Sequence, residues 1–392
     1  MLRAVKIRLH PTPEQEILFW KSAGTARWAY NFYLSEKERV YHDYLSNGMS
    51  GKKDITGSEV RKYINNVLKR TTHKWLSEVG SNVMKQGVRD AEEAYQRYFK
   101  GLSGKPRFKT RRRSKISFYV NYETLQRMPG GFRSEKLGFV RTSKPLPKTR
   151  KGQKYSNPRI SYDGKYWYLS VAYEAQEEAK PELSDVTIGI DLGVKDLAIL
   201  SDGRVFKNIN KTHEVRRLEK KLKREQRKAS RRIRQNIRGY DQNRRPIWKR
   251  PLKECRNLER QNRKIRLLHK RINDIRTHYL HQTTRAIVKT KLSRIVMETL
   301  NVKGMMKNRH LSRAIASQKF YEFKRQMQYK CEALDIELVE ADRFYPSSKT
   351  CSRCGHIKSD LKLKDRTYIC PECGLVIDRD LNAAINLANY RV

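Results

Sequence analysis

Val186-Thr187-Ile188-Gly189-Ile190-Asp191-Leu192-Gly193 is the stretch on which the fold turns. The unbroken apolar run Val186–Ile190 reads as a strand buried on both faces, and it closes on a carboxylate, Asp191. Leu197–Leu200 and an Asp202-Gly203 turn follow, so Asp185–Phe206 opens a core of its own. Downstream, Arg294-Ile295-Val296-Met297 reads as a second buried strand, closing on Glu298. Ser312–Leu334 reads as one helix, Ile336–Ala341 as a strand and Leu381–Tyr390 as a helix packing Ala384, Leu387 and Ala388. Strands alternating with helices imply an α/β sheet. Between the first two strands lie two apolar stripes at helical spacing, Val215, Leu218, Leu222, Ile233 and then Leu258, Ile265, Leu268, Ile272, Ile275. The segment with Gly239, Pro246 and Pro251 should break the helix there, which predicts an antiparallel helical pair.

Upstream the texture differs. Leu2–Leu9 is strand-like, and Thr12-Pro13-Glu14-Gln15 places a capping threonine, a proline at the first helical position and a glutamine three past the cap. That helix carries Ile17, Leu18, Trp20, Trp28, Phe32 and Tyr33 toward Val40. A second starts at Ser81, with Met84, Val88, Ala91, Tyr95 and Tyr98 on one side. From Gly101 a basic segment with a run of arginines leads into alternating Ile116–Tyr122, and Asp163-Gly164 is a hairpin signal between Ile160–Tyr162 and Lys165–Glu174.

The 392 residues allow two or three domains. Lysine and arginine number 87 against 41 acidic residues, a net charge of +46, so the partner must be strongly anionic and extended. Lys211–Lys270 alone holds 24 basic and 6 acidic residues; too few acids are present to pair them, which points to phosphate contact. A membrane surface is a poorer match, because no run of about 18 apolar residues exists. Met1–His10 carries no apolar core of a signal peptide, and the reading is a cytoplasmic, nucleoid-associated protein.

Two constellations carry chemistry. Cys351-x2-Cys354 and Cys370-x2-Cys373, each pair trailed by a glycine, have the spacing of a closed tetrahedral Zn2+ site that contributes folding free energy rather than activating water. Unliganded core cysteines or disulfides are the alternatives, and Cys255 and Cys331 read as ordinary partly buried residues. Asp191, Glu298 and Asp380, the last within Asp378-Arg379-Asp380-Leu381-Asn382-Ala383-Ala384, sit at element ends in an acid-poor chain. Each alone is explained by an arginine partner or a helix cap. Together they offer hard oxygen ligands for two divalent ions about 3.5 to 4 Å apart, suited to phosphodiester hydrolysis. Trp167, Tyr168 and Trp248 lie near basic segments and could stack on bases, although strand alternation favours a core role for Tyr168.

The string Gly189-Ile190-Asp191-Leu192-Gly193, Glu298 with Leu300-Asn301, the two cysteine pairs and the closing Asp378–Ala384 motif together resemble the RuvC-like nuclease domain of TnpB proteins, transposon-encoded relatives of type V CRISPR effectors. Arg8–Gln15, Gly24-x2-Arg27-x2-Tyr30-Asn31 and Pro106-Arg107-Phe108-Lys109 extend the resemblance over nearly all of the chain. Around Ala316–Phe320 many members carry an aspartate and a Gly-Trp pair that are missing here.

The resemblance implies a multidomain α+β and α/β protein. It has a β-barrel-like wedge (1–10 and 101–180), an inserted helical recognition domain (11–100), and an RNase H-like RuvC nuclease domain (181–350 and 374–392). Within the last lie the basic helical pair (211–285) and, at 351–373, a zinc ribbon insert. It implies an RNA-guided DNA endonuclease with guide RNA from the transposon end and target double-stranded DNA as partners, cutting beside a short transposon-adjacent motif; the sequence leaves the oligomeric state open, with a monomer favoured. Asp191, Glu298 and Asp380 match the catalytic ligands of two Mg2+ ions, and Cys351, Cys354, Cys370 and Cys373 the Zn2+ ligands; Asp378 is expected to cap the helix or bind an arginine. A nuclease-inactive guided repressor is the alternative, and a strand-transferring transposase fits the cysteine insert poorly.

Overall fold

The computed structural model describes residues 2–111, 114–149, 152–175, 181–362 and 365–391. The expected junction at 180 and two of the expected run of arginines, Arg112 and Arg113, lie outside them. The chain divides into two compact units, Met1–Glu177 and Glu178–Val392.

The first unit begins with strand β1 (Leu2–His10), followed by helices α1 (Pro13–Ser46), α2 (Gly57–Tyr63) and α3 (Ser81–Phe99). The capping box at Thr12 is present as the sequence predicts: its side chain accepts from Gln15 N, and the Thr12 amide donates to Gln15 Oε1. Six more strands follow, β2 (Ile116–Tyr119), β3 (Gln126–Met128), β4 (Gly131–Ser134), β5 (Gly138–Thr142), β6 (Ser156–Tyr162) and β7 (Trp167–Glu174). They join β1 in one antiparallel sheet of order β2-β6-β7-β1-β5-β4-β3. The three helices are thus an insertion between the first two strands of a sheet. Phe19 and Ala23 of α1 pack on the sheet core with Trp167, Leu169 and Val171, whereas Tyr30, Tyr33 and Leu34 turn to a second core shared with α2 and α3. A Cβ at Gly87 would stand 2.7 Å from the Ala26 carbonyl, so glycine is what lets α3 cross α1 so closely.

The strand phase corrects one expectation. Trp167 is the buried residue, 3% exposed, so it is sheet core and unavailable for base stacking. Tyr168 faces the other way, half-buried beneath the Lys6 ammonium.

The second unit is built on β8 (Ser184–Leu192), β9 (Asp196–Leu200) and β10 (Val205–Lys207), then α4 (His213–Gln235), the hairpin β11 (Ile237–Tyr240) and β12 (Pro246–Trp248), α5 (Arg256–Val288) and β13 (Leu292–Met297). Helices α6 (Val302–Met305), α7 (Ser312–Gln318) and α8 (Phe320–Leu334) precede β14 (Glu337–Glu340), β15 (Thr367–Ile369), β16 (Val376–Asp378) and α9 (Arg379–Ala388). The central sheet has order β10-β9-β8-β13-β14, with β13 parallel to both β8 and β14 and the first three strands antiparallel. The segment expected to be merely a break between α4 and α5 folds as a hairpin. The single helix expected over Ser312–Leu334 is two, because Lys319 adopts φ 59°, the left-handed region that favours glycine. That is the stretch where the family resemblance leads one to expect a Gly-Trp pair. Among the described residues no helix is long and apolar enough to cross a membrane.

Candidate active site

Side-chain alternation sets the site. On β8, Ile188, Ile190 and Leu192 face a core lined by α5 and α8, so Gly189 and Asp191 face the other side. On the adjacent parallel strand, Ile295 and Met297 join that same core, while Val296 turns to the opposite face and packs with Leu387 of α9. Glu298, one residue beyond β13, continues the phase of Val296. Because Ile190 pairs with Met297, Asp191 and Glu298 emerge side by side at the same end of the sheet.

The third carboxylate arrives on α9, which lies across β8. A Cβ at Gly189 would stand 2.0 Å from the Ala384 carbonyl and 2.4 Å from the Ala388 amide, so this glycine is the seat of the helix. Asp378 caps α9, accepting from the amides of Asp380 (2.9 Å) and Leu381 (3.1 Å), one of the two roles expected of it. Asp380, in the first turn, is thereby presented toward the strand ends.

The three carboxylates feel one another. Burial pushes the Asp191 carboxyl well above the ordinary carboxylate range, and the charges of Glu298 and Asp380 push the same way, against a smaller pull from Arg379. Burial raises Glu298 to about 7; the Leu192 amide, donating to its Oε1 at 3.2 Å, opposes this, and Asp380 adds to it. Asp380 has longer-range ion pairs to Arg366 (3.7 Å) and Arg379 (3.8 Å). Among the described residues neither Asp191 nor Glu298 has an ion pair and Asp380 has only these two long ones, so the three acids form an oxygen donor set that is only partly neutralised. Such a set suits a hard divalent ion.

The cysteines gather more tightly. All four sulfurs lie within 4.8 Å of one another, and among the described residues no other group of three or more ligating side chains is this close. Cys351–Cys373 and Cys354–Cys370 stand 3.6 and 3.5 Å apart, far beyond a disulfide bond of about 2.05 Å and near the roughly 3.8 Å expected across a tetrahedral tetrathiolate. The donor set could hold a metal ion. Of the remaining cysteines, Cys331 is fully buried in the core of the second unit rather than partly so, and Cys255 is half-buried.

Two residues that sequence reasoning did not assign tie the knuckle to the site. Asn382, fully buried on α9, donates to Thr350 O (2.7 Å) and accepts from Ser352 N (3.0 Å); Asn386, one turn on, donates to Ser347 O and Thr350 O. A buried asparagine inside an amphipathic helix, next to a cysteine pair, is the signal that could have found them. Helices α4 and α5 are antiparallel, as Arg232–Asn257, Glu225–Gln261 and Glu219–Arg276 contacts show. The acids Glu214, Glu219 and Glu225 are spent on Arg271, Arg276 and Lys228, while Arg216, Arg217, Lys220, Lys221 and Lys223 remain exposed. The Trp248 ring is half-buried on the hairpin between them.

Three family models match the chain: "Helix-turn-helix domain" of the OrfB/IS605 group over residues 1–44, "Probable transposase" over 170–309, and "Cas12f1-like, TNB domain" over 320–387. The first span folds here as β1 and most of α1, a strand and one long helix. The chain is 30% identical to a "Putative RNA-guided DNA endonuclease" of Streptomyces pristinaespiralis, over 98% of this chain and 88% of the relative. It is 28% identical to "Putative RNA-guided DNA endonuclease InsQ" of Escherichia coli (strain K12), over 98% and 91%. Among solved structures, the Cas12f1 chain of a Cas12f1–sgRNA–target DNA complex has the same fold, with a TM-score of 0.54, 13% identity and 99% of each chain covered. The architecture is a multidomain α/β fold shared with that Cas12f1 chain. The chain belongs to the TnpB family of transposon-encoded proteins.

Proposed function

We infer that this chain is an RNA-guided DNA endonuclease, working with a guide RNA on target DNA. The surplus of +46 supports this, since a chain that delegates sequence reading to RNA–DNA pairing needs cations along a backbone. The antiparallel sheet with its helical insertion supports the wedge and recognition domains at 1–10 with 101–180 and at 11–100. The order β10-β9-β8-β13-β14 supports an RNase H-like, RuvC nuclease domain over 181–350 and 374–392, with 351–373 as its zinc ribbon. Cleavage beside a short transposon-adjacent motif and association with the nucleoid belong to the same reading.

Asp191, Glu298 and Asp380 are the proposed catalytic carboxylates and would hold two Mg2+ ions; Cys351, Cys354, Cys370 and Cys373 would hold one structural Zn2+. Ions held by the carboxylates would supply water activation and stabilisation of the leaving oxygen. The protein's own part is positional. β8 and β13 deliver Asp191 and Glu298 in parallel, the Leu192 amide orients Glu298, and the cap of Asp378 sets the first turn of α9 so that Asp380 meets them. The observation that carries the assignment is the common face of Gly189, Asp191, Val296 and Glu298, covered by the helix that bears Asp380. Purified ribonucleoprotein carrying Asp191→Ala should bind a matched target plasmid and leave it intact. Undiminished cutting by that variant removes the catalytic assignment, and footprinting without breaks by the native protein favours a guided repressor.

A further inference from the structure

The helical insertion of the first unit carries an aromatic array that the carboxylate site does not use. Trp28 and Phe32, one turn apart on α1, stack at 5.1 Å with planes 16° apart, and Tyr63 at the end of α2 extends the stack, 6.3 Å from Phe32 and within 8° of parallel. Trp75 meets Trp28 edge-on at 5.4 Å, and His73 lies 5.0 Å from Trp28. Trp28 and Phe32 rest on the helical core, but the outer rings are open: Tyr63 is 45% and Trp75 39% exposed. An array of this kind left to water forfeits burial that a partner would restore.

Two further observations select the partner. Directly after Tyr63 the chain makes a π-helical turn, Ile64–Leu68, a rare geometry found frequently at functional sites, and it separates Tyr63 from the cations Lys69 and Arg70. Lys62 precedes Tyr63, and Lys74 stands between His73 and Trp75. The nearest acids in sequence, Glu59 and Glu78, are engaged by Lys52 and Lys21, and among the described residues Lys62, Lys69, Arg70 and Lys74 have no ion pair, so the positive charge that neighbours the rings in sequence is left over. Flat faces flanked by unneutralised cations match a polyanion whose repeating units are themselves flat.

We propose that Tyr63 and Trp75 form a base-stacking platform for unpaired nucleotides of single-stranded RNA, with Lys62, Arg70 and Lys74 holding the adjacent phosphates. A base laid on Tyr63 would continue the ladder Trp28–Phe32–Tyr63. The proposal rests on the chain being a nucleic-acid protein and not on the assignment of the carboxylates.

The test is photocrosslinking of the full chain to a short single-stranded RNA containing bromouridine, with the adducts mapped by mass spectrometry, and titration of the same RNA at several salt concentrations. Adducts at Tyr63 or Trp75 are expected. Tyr63→Leu and Trp75→Leu should each weaken binding about tenfold without changing the salt slope, Tyr63→Phe should restore it, and Lys74→Gln should lower the slope by about 0.7. Adducts confined to other residues would overturn the platform while leaving RNA binding standing. The absence of any adduct or binding would sink both, and self-association through this face on Tyr63-sensitive sedimentation would replace the RNA with a second copy.

Discussion

The cysteine cluster and the carboxylate cluster are both fitted to cations, yet they are assembled by opposite means. Four cysteines from one short knuckle meet with sulfurs within 4.8 Å, a closed soft site determined by local turns. The carboxylates come from two strands and a helix far apart in the chain, meet through register and one glycine, and stay wider apart and partly open. Closure suits a structural ion and openness suits substrate. The two are nevertheless coupled, because Asn382 and Asn386 fasten to the knuckle the helix that presents Asp380.

The largest effect that would break this comparison is expected at the seat of α9. Gly189→Ala drives a Cβ into the Ala384 carbonyl, so it should cost about 1 to 3 kcal/mol, lower the unfolding temperature and abolish cleavage, although no carboxylate is touched. Native-like cutting by this variant would show that the carboxylates do not depend on that helix contact. Next, if the knuckle holds the proposed ion, chelation should unfold it, as should Cys351→Ser, and Asn382→Ala should cost about 1 to 3 kcal/mol by orphaning the backbone groups around Thr350. In each case cleavage should fall with stability, read by calorimetry and plasmid nicking side by side.

A pH series sharpens the contrast further. Glu298 titrates at about 7 rather than the ordinary 4.5, so in the cation-free chain its ionisation makes folding less favourable as pH climbs between those values. Cation binding must displace that proton. The thermal stabilisation by magnesium should therefore be larger at about pH 8 than at about pH 6; a shift independent of pH would contradict the raised carboxyl. Cys331→Ser places a hydroxyl in a fully buried site and should cost about 1 to 3 kcal/mol without touching either cluster. The smallest effect belongs to the other cysteine outside the knuckle: Cys255→Ser should stay within about 0.5 kcal/mol, as denaturant titration would show.

What was legible in the sequence follows the same division. The knuckle and the Thr12 capping box depend on neighbours in the chain, and they read directly; the strand before Asp191 reads as buried throughout Val186–Ile190 but is buried only from Ile188 on, with Val186 48% exposed. The three carboxylates stand out as a pattern in the sequence, but what brings them near one another does not: that needs the Ile190–Met297 register and the close approach at Gly189, which are tertiary facts. The break at Lys319 was invisible because lysine is a good helix former and only the tertiary packing holds it at positive φ. Trp167 was misread because alternation fixes which residues share a face but not which face is inward. The aromatic ladder draws its rings from α1, α2 and the turn at Lys74–Glu78, and no periodicity links them.

Anomalous scattering from crystals of the protein soaked in manganese tests the central claim most directly. Density at bonding distance from Asp191, Glu298 and Asp380, lost in the Asp191→Ala variant, is the predicted result. Manganese bound elsewhere, with these three side chains bare in the native protein, would contradict it.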